Sequence, residues 1–245
     1  MKEERLDKFV AMGLKLTRNE AKNLIKNKKI KINGEIIRDG SYKVKESDVV
    51  LCDDTIVKFE ENIYLMMNKP KGYVCSTDDK NNKTILELIS DYNINKLMIV
   101  GRLDIDTTGL IILTSDGAFV HKLTSPNKNI NKKYEVLCDK DFTEDDINKF
   151  KEGITIYLDD ETPYKCKSSE LEILKNKKEA YITISEGKYH QIKKMCKMVD
   201  KKVYELKRVE IGKLKLDCNL LPGEYRKLTN EEMELIKWLF ISIAS

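Results

Sequence analysis

Apolar positions near the start of the chain fall at Leu6, Phe9, Val10 and Leu14, a helical spacing that predicts an amphipathic first helix. Thr17 stands three residues before Glu20, the pattern of a capping box. Ala21, Leu24 and Ile25 then carry a second helix. The period next drops to two. In "KIKING", Ile30 and Ile32 alternate with lysines; the chain turns at Asn33-Gly34 and returns through Ile36 and Ile37, which predicts a short hairpin. The acid-rich "KESDVVLCDDTIVKFEEN" closes this unit with a strand, before a short linker near residues 59–62.

From Ile63 onward short strands and helices mix. "IYLMMNKPKGYVCST" predicts a strand running into a Pro-Gly turn, "TILELISDY" a brief helix, and "KLMIV" and "GLIILT" buried strands. Thr114, Ser115 and Asp116 offer cap groups for a helix through "GAFVHKLT". Farther on, "KKYEVLC" and "EAYITIS" have strand composition, "YHQIKKMCKMV" is helical and "VYELKRVEIGKLKL" is extended. Thr229 with Glu232 caps the final helix. The order is α+β, without a regular βαβ alternation, internal repeat or low-complexity tract.

Composition narrows the class. A chain of 245 residues can bury a full core and hold a small domain beside a larger one. No basic, apolar leader opens it, and its longest apolar stretch, "WLFISIA", is interrupted by Ser242 and too short to span a bilayer, so a soluble protein with no membrane partner is expected. Six scattered cysteines without a CxxC pair fit a reducing, cytoplasmic setting. Two histidines, neither at zinc-ligand spacing, argue against a His/Cys metal centre. The net charge of +4 is unevenly spread: residues 1–45 carry 13 Lys and Arg against 6 Asp and Glu, whereas residues 59–245 carry 31 of each. Such a local cationic field attracts phosphate backbones, although a solvated lysine-rich face has the same look.

The stretch "GRLDIDTTGL", residues 101–110, sets Asp104 and Asp106 between two apolar runs. If extended, the two carboxylates share a face with α-carbons about 6.6 Å apart, close enough to bind a metal. "DIDTT" fits the D-x-D-x-T pattern of haloacid-dehalogenase-like phosphatases, yet Gly101 and Arg102 interrupt the preceding apolar strand and no βα scaffold surrounds it. Taken alone, Asp and Thr here read most simply as turn formers.

Two resemblances change that reading. "RLDKFVA", "TRNEAKNLI" and "IKINGEII" occur in the order of the S-four (alpha-L) RNA-binding module. The resemblance implies that Arg5, Arg18, Lys22 and Lys26 face phosphates. Spacing alone places Arg18, Lys22 and Lys26 along one side of a helix, where an ordinary exposed face remains the alternative.

"NKPKGYVCST", "GRLDIDTTGLIILTSDG", "KKYEV", "SEGKYHQIKKM" and "LPGEYRKLT" follow the order and spacing of the ribosomal pseudouridine synthases. The chain resembles the ribosomal small-subunit pseudouridine synthase A family over essentially its full length. The resemblance implies an S-four-like domain at 1–58 and a catalytic domain at 63–245, the latter a mixed, largely antiparallel sheet flanked by helices. It makes Asp104 the catalytic aspartate and Asp106 either a turn residue or one that supports the catalytic groups without touching substrate. Lys188 supplies the cation beside Asp104, and Tyr134 stacks on the uracil. Arg102 helps hold the flipped-out nucleotide, and Lys193, with Lys194 and Lys197, reaches phosphates. His190 and Gln191 are structural or RNA-contacting, and Asn68, Lys69 and Pro70 form the family's first motif. The reaction exchanges a glycosidic bond to nitrogen for one to carbon without a redox step, so no cofactor or metal is implied. The expected partner is ribosomal RNA or an assembling small subunit, met by a monomer. Uridine 516 of 16S rRNA is the expected target. A sister enzyme of 23S rRNA and a non-catalytic ribosome-binding factor are the alternatives.

Overall fold

The computed structural model describes residues 4–14, 16–58, 62–125 and 129–241, with side chains through 236. The chain divides into two compact units, Met1–Asn62 and Ile63–Ser245.

The first unit begins with β1 (Glu4–Arg5), α1 (Leu6–Gly13) and α2 (Arg18–Lys26). The expected capping box is formed: Thr17 Oγ1 accepts from the Glu20 amide at 3.2 Å, and the Glu20 carboxylate accepts from the Thr17 amide at 2.7 Å. The strands are β2 (Ile30–Ile32), β3 (Glu35–Ile36), β4 (Lys43–Val44), β5 (Val50–Cys52) and β6 (Thr55–Ile56). β2 and β3 make the hairpin, and positive φ at Asn33 (52°) and Gly34 (90°) supplies the left-handed pair that a tight two-residue turn needs. Leu6, Val10, Ala21, Ile25, Ile30 and Val50 fill the core. Arg18, Lys22 and Lys26 are exposed along α2, as the spacing required. Arg5 is exposed as well, and it is also paired within its own module. Its Nε and Nη2 donate to the buried Asp7 carboxylate at 3.2 and 2.9 Å, so the guanidinium braces the start of α1, and the hydrogen bond holds the Asp7 carboxyl below its usual range.

The second unit is built on β7 (Tyr64–Lys69), β8 (Met98–Val100), β9 (Thr108–Thr114), β10 (Lys132–Cys138), β11 (Thr155–Tyr157), β12 (Pro163–Lys165), β13 (Glu170–Ile173), β14 (Glu179–Ile184), β15 (Val203–Ile211), β16 (Leu214–Lys215) and β17 (Tyr225–Lys227). Nine of these form one sheet ordered β13-β14-β10-β15-β9-β7-β17, with β8 on β9 and β16 on β15. All pairings are antiparallel except β15 with β9, the mixed and largely antiparallel sheet expected. Helices α3 (Gly117–Thr124), α4 (Glu144–Glu152), α5 (Gln191–Met198) and α6 (Asn230–Ile241) complete the unit.

The sheet is buried on both faces, which is why its central strands read as continuous apolar runs. In β7, Leu65 and Met67 join one cluster with Ile111, Val136, Phe150 and Met195, while Met66 joins the other with Leu110, Ile112, Phe119 and Ile236. Asp116 is the cap of α3, accepting from the Phe119 amide at 3.1 Å. The brief helix expected in "TILELISDY" is a single 3₁₀ turn over Ile85–Leu88. Helix α4, capped by Thr143 and Asp146, and the small β11–β12 pair were not foreseen.

Gly109 lies where β9 and β15 run parallel, opposite Arg208. Its φ is +100°, and an added Cβ would stand 2.2 Å from the Arg208 carbonyl oxygen. Both obstacles are backbone, so neither can relax by a side-chain turn. Gly109→Ala is expected to destabilise the second unit by on the order of 3 kcal/mol or more, read as a lowered midpoint in chemical denaturation.

Candidate active site

Strands β8 and β9 pair antiparallel from Met98 opposite Thr114 to Val100 opposite Ile112. Residues 101–107 are therefore the loop of a hairpin, and this is why two aspartates sit between two apolar runs. Gly101 takes a φ of +76°, and the Thr107 amide donates to the Asp104 carbonyl at 3.1 Å to close a turn around Asp106. The loop does not follow a parallel strand, which removes the scaffold a D-x-D-x-T phosphatase uses.

The loop is held from below. Lys69, fully buried at the end of β7, donates from Nζ to the carbonyls of Thr107 (2.8 Å), Pro70 (3.0 Å) and Ile105 (3.4 Å). The Gly72 amide donates to the same Ile105 carbonyl at 2.8 Å. Burial lowers the proton affinity of Lys69, and neighbouring Cys75, Asp106 and Asp104 offset part of that shift. The first motif thus acts as the clamp on the aspartate loop.

Asp104, with a side chain 25% exposed, points at helix α5. Lys193 Nζ lies 3.2 Å from its Oδ2 and 2.6 Å from Asp106 Oδ1, and His190 Nε2 is 3.5 Å from the same Asp104 oxygen. A single ammonium therefore bridges the two carboxylates. Burial works against the charge on Lys193, yet its bonds to Asp106 and Asp104 outweigh this and raise its proton affinity. For Asp106, burial is likewise overridden by the Lys193 hydrogen bond, and its carboxyl is held low.

A cavity of about 90 Å³ adjoins Asp104, and Arg102, Tyr134, Lys188, His190 and Gln191 share its wall. The site thus gathers Asp104, Tyr134, Lys188 and Arg102, as the sequence implied, with one correction. The cation on the aspartate is Lys193, not Lys188. The Lys188 ammonium lies over the Tyr164 ring, 4.4 Å from its centroid, and Tyr164 donates to Glu186 at 2.8 Å. The geometry of helix entry explains the exchange. His190 adopts a left-handed φ of 54° as the N-cap of α5, and residues 190 and 193 then share one helical face turned to the loop. The signal for Lys193 was present in "HQIKKM", as a lysine three positions after the histidine. Gln191 is structural: its Nε2 donates to Glu186 at 2.7 Å and its Oε1 accepts from the Lys188 amide at 2.9 Å, tying down the loop before the helix.

Sequence reasoning passed over two groups behind the cavity. Arg208, buried on β15 opposite Tyr134, donates from Nε to the Leu110 carbonyl at 2.8 Å. Lys132 lies two residues before Tyr134 on the same face of β10. Burial, and after it the charge of Arg208, lowers its pKa to about 8.

Residues 63–198 match the family described as RNA pseudouridylate synthase, and residues 4–50 match the S4 domain. The chain belongs to the RNA pseudouridine synthase family. It is 39% identical over 230 residues to the ribosomal small subunit pseudouridine synthase A of Escherichia coli (strain K12), covering 94% of this chain and 98% of that protein. Identity to the protein of that name from Haemophilus influenzae is 41% over 231 residues, with the same coverage. An uncharacterized RNA pseudouridine synthase of Aquifex aeolicus is 36% identical over 241 residues, covering 96% of this chain and 97% of that one. A solved pseudouridylate synthase superposes with a TM-score of 0.67 at 40% identity, covering 95% of this chain and 99% of that one. The protein is thus an isomerase of the pseudouridine synthase type, carrying an N-terminal S4 domain.

Two outcomes follow from this clamp and this face. Lys69→Met removes the donors beneath the aspartate loop and should slow single-turnover pseudouridine formation about a hundredfold, the scale expected when a reacting group is displaced by about an ångström. For Lys132, the folded state releases its proton from about pH 8 and the unfolded state near 10.5. The unfolded chain holds more protons between those values, so Lys132 makes unfolding free energy rise with pH across that window. Lys132→Met should flatten that rise in urea titrations run from pH 7 to pH 10.5.

Proposed function

We propose that the substrate is ribosomal RNA of the small subunit, and that the target is uridine 516 of 16S rRNA. What supports the target is the full-length similarity, near 40% identity, to two proteins named as small subunit pseudouridine synthase A. What supports the residue roles is a single arrangement: a partly exposed carboxylate, Asp104, opening on a small cavity that also takes in Tyr134, with an ammonium 3.2 Å away.

In this reading the target nucleotide leaves its stack and its base enters the cavity. Asp104 acts at the ribose. It attacks the anomeric carbon or removes a proton to give a glycal; by either route the bond from that carbon to the ring nitrogen breaks and the uracil departs with the electron pair. The freed uracil turns and bonds to the same sugar through its ring carbon, displacing the Asp104 carboxylate on the first route or taking up at the sugar the proton that Asp104 returns on the second; the ring carbon then loses its proton as the nitrogen gains one. Atoms and electrons balance without any co-reactant. A carboxylate suits an oxocarbenium-like centre, as it does in glycosidases. Lys193 keeps Asp104 directed at the cavity mouth, and the face of Tyr134 receives the uracil ring. Lys188 and Arg102 share the cavity wall, where Arg102, exposed on the loop, meets the backbone of the flipped nucleotide. In the S4 domain, Arg18, Lys22 and Lys26 on the open face of α2 contact phosphates. Arg5, half exposed and held by Asp7 through Nε and Nη2, keeps its remaining donors for the same backbone.

The test uses unmodified 16S rRNA, free and in an assembling small subunit. Wild-type protein should form pseudouridine at the single target, and Asp104→Asn should form none while binding the RNA with unchanged affinity. Lys193→Met should lower the first-turnover rate by about a hundredfold and by more than Lys188→Met does. No modification of 16S rRNA, with pseudouridine formed in unmodified 23S rRNA supplied in a parallel reaction, would overturn the target, and equal rates for Asp104→Asn and wild type would overturn the mechanism.

A further inference from the structure

Tyr189 stands beside the Asp104 cavity without lining it. The wall runs through Gly187, Lys188 and His190 and skips the tyrosine between them. Tyr189 is nonetheless 59% exposed, among the most exposed large side chains described. Its ring is also fixed. It stacks on the His190 imidazole with centroids 3.8 Å apart and planes 23° from parallel. Successive side chains of an extended segment point apart; the left-handed φ of His190, 54°, bends the chain so that these two meet. His190 in turn lies 3.5 Å from Asp104, so the tyrosine stands one ring away from that carboxylate. With one face covered by the imidazole, an exposure of 59% leaves the rest of the ring open to solvent. The Lys194 ammonium lies over the ring, 5.6 Å from its centroid and 2.8 Å from Asp159, so a base stacking there displaces it toward the nucleotide's own phosphate.

A fixed, open aromatic next to a cavity that takes a flipped base has one obvious ligand. When a nucleotide is extruded, the base beside it loses a stacking partner, and the cost of that exposed face is met by any flat π surface within reach. We propose that Tyr189 is the stacking platform for the nucleobase adjoining the target uridine, with the Lys194 ammonium beside it drawing the intervening phosphate. The proposal rests on the reading that the Asp104 cavity receives a uridine from RNA. Tyr189 is a positioning residue: it touches the neighbour of the reacting nucleotide, and holding that neighbour fixes where the uridine enters. Stacking tolerates any base, so this contact adds affinity and register without choosing sequence.

The test compares full-length Tyr189→Ala, Tyr189→Phe and wild type on a 16S rRNA transcript. Tyr189→Ala should raise KM and Kd about tenfold with kcat within about twofold, the size of one lost base–aromatic stack. Tyr189→Phe keeps the ring and should match wild type. Tyr189→Trp combined with Trp238→Phe places the sole tryptophan at position 189, and its emission should be quenched as RNA saturates the protein. The proposal is overturned if KM for Tyr189→Ala stays within twofold of wild type, or if the alanine and phenylalanine variants lose equally. An unquenched tryptophan at saturating RNA also overturns it, as does a loss seen on assembled particles but absent on free RNA. If wild type leaves 16S rRNA unmodified while the tryptophan is still quenched by bound RNA, the target assignment fails and the platform stands.

Discussion

A buried ammonium under the aspartate loop is the constraint around which the catalytic unit is arranged. Taking an isolated positive charge out of water is costly, and Lys69 is tolerated because backbone carbonyls receive its N–H donors. Those carbonyls belong to the turn after β7 and to the loop after β8, so satisfying one side chain fixes the relative position of two segments. It also fixes which way the loop faces. With the carbonyls of Ile105 and Thr107 turned down to Lys69, the side chains of Asp104 and Asp106 turn out to Lys193.

Around that loop the protein concentrates positive charge. Lys69 lies beneath it, Lys193 lies across from it, and Arg208 and Lys132 stand behind Tyr134. In the proposed reaction the departing uracil carries negative charge, and fixed cations with little freedom to reorganise stabilise such charge where it develops. The same crowding has a cost on the protein: burial and Arg208 together push Lys132 down to about 8. Two polar atoms in this layer, Thr107 Oγ1 and Arg208 Nη2, are buried without a hydrogen-bond partner, and both belong to residues flanking the β9–β15 contact.

Local signals carried much of this into the sequence. The Thr17 and Thr229 caps, the Asn33-Gly34 turn and the strand runs at 64–69 and 108–114 depend on neighbours within a few residues, and each appears where the pattern put it. Order and spacing of motifs located Asp104 and Tyr134. What escaped were relations set by tertiary contact. Whether Lys188 or Lys193 meets Asp104 depends on a left-handed turn at His190, a conformation that nothing about a histidine announces. Arg5 belongs with the cations of its module by sequence, and the buried Asp7 two residues on also pairs with it. The β11–β12 pair and α4 have short, mixed patterns that tertiary packing stabilises and periodicity does not reveal.

The topology of the sheet also governs when the site comes into being. β7, first in the catalytic unit, lies between β9 and β17, the last strand, and Arg208 meets Leu110 across 98 positions of sequence. Until β17 docks, β7 presents an open edge of unpaired backbone groups. Until β15 inserts beside β9, the floor behind Tyr134 is missing. A chain emerging from the ribosome would therefore carry a finished S4 domain well before it carries a working catalytic centre, and its affinity for RNA would mature ahead of its chemistry.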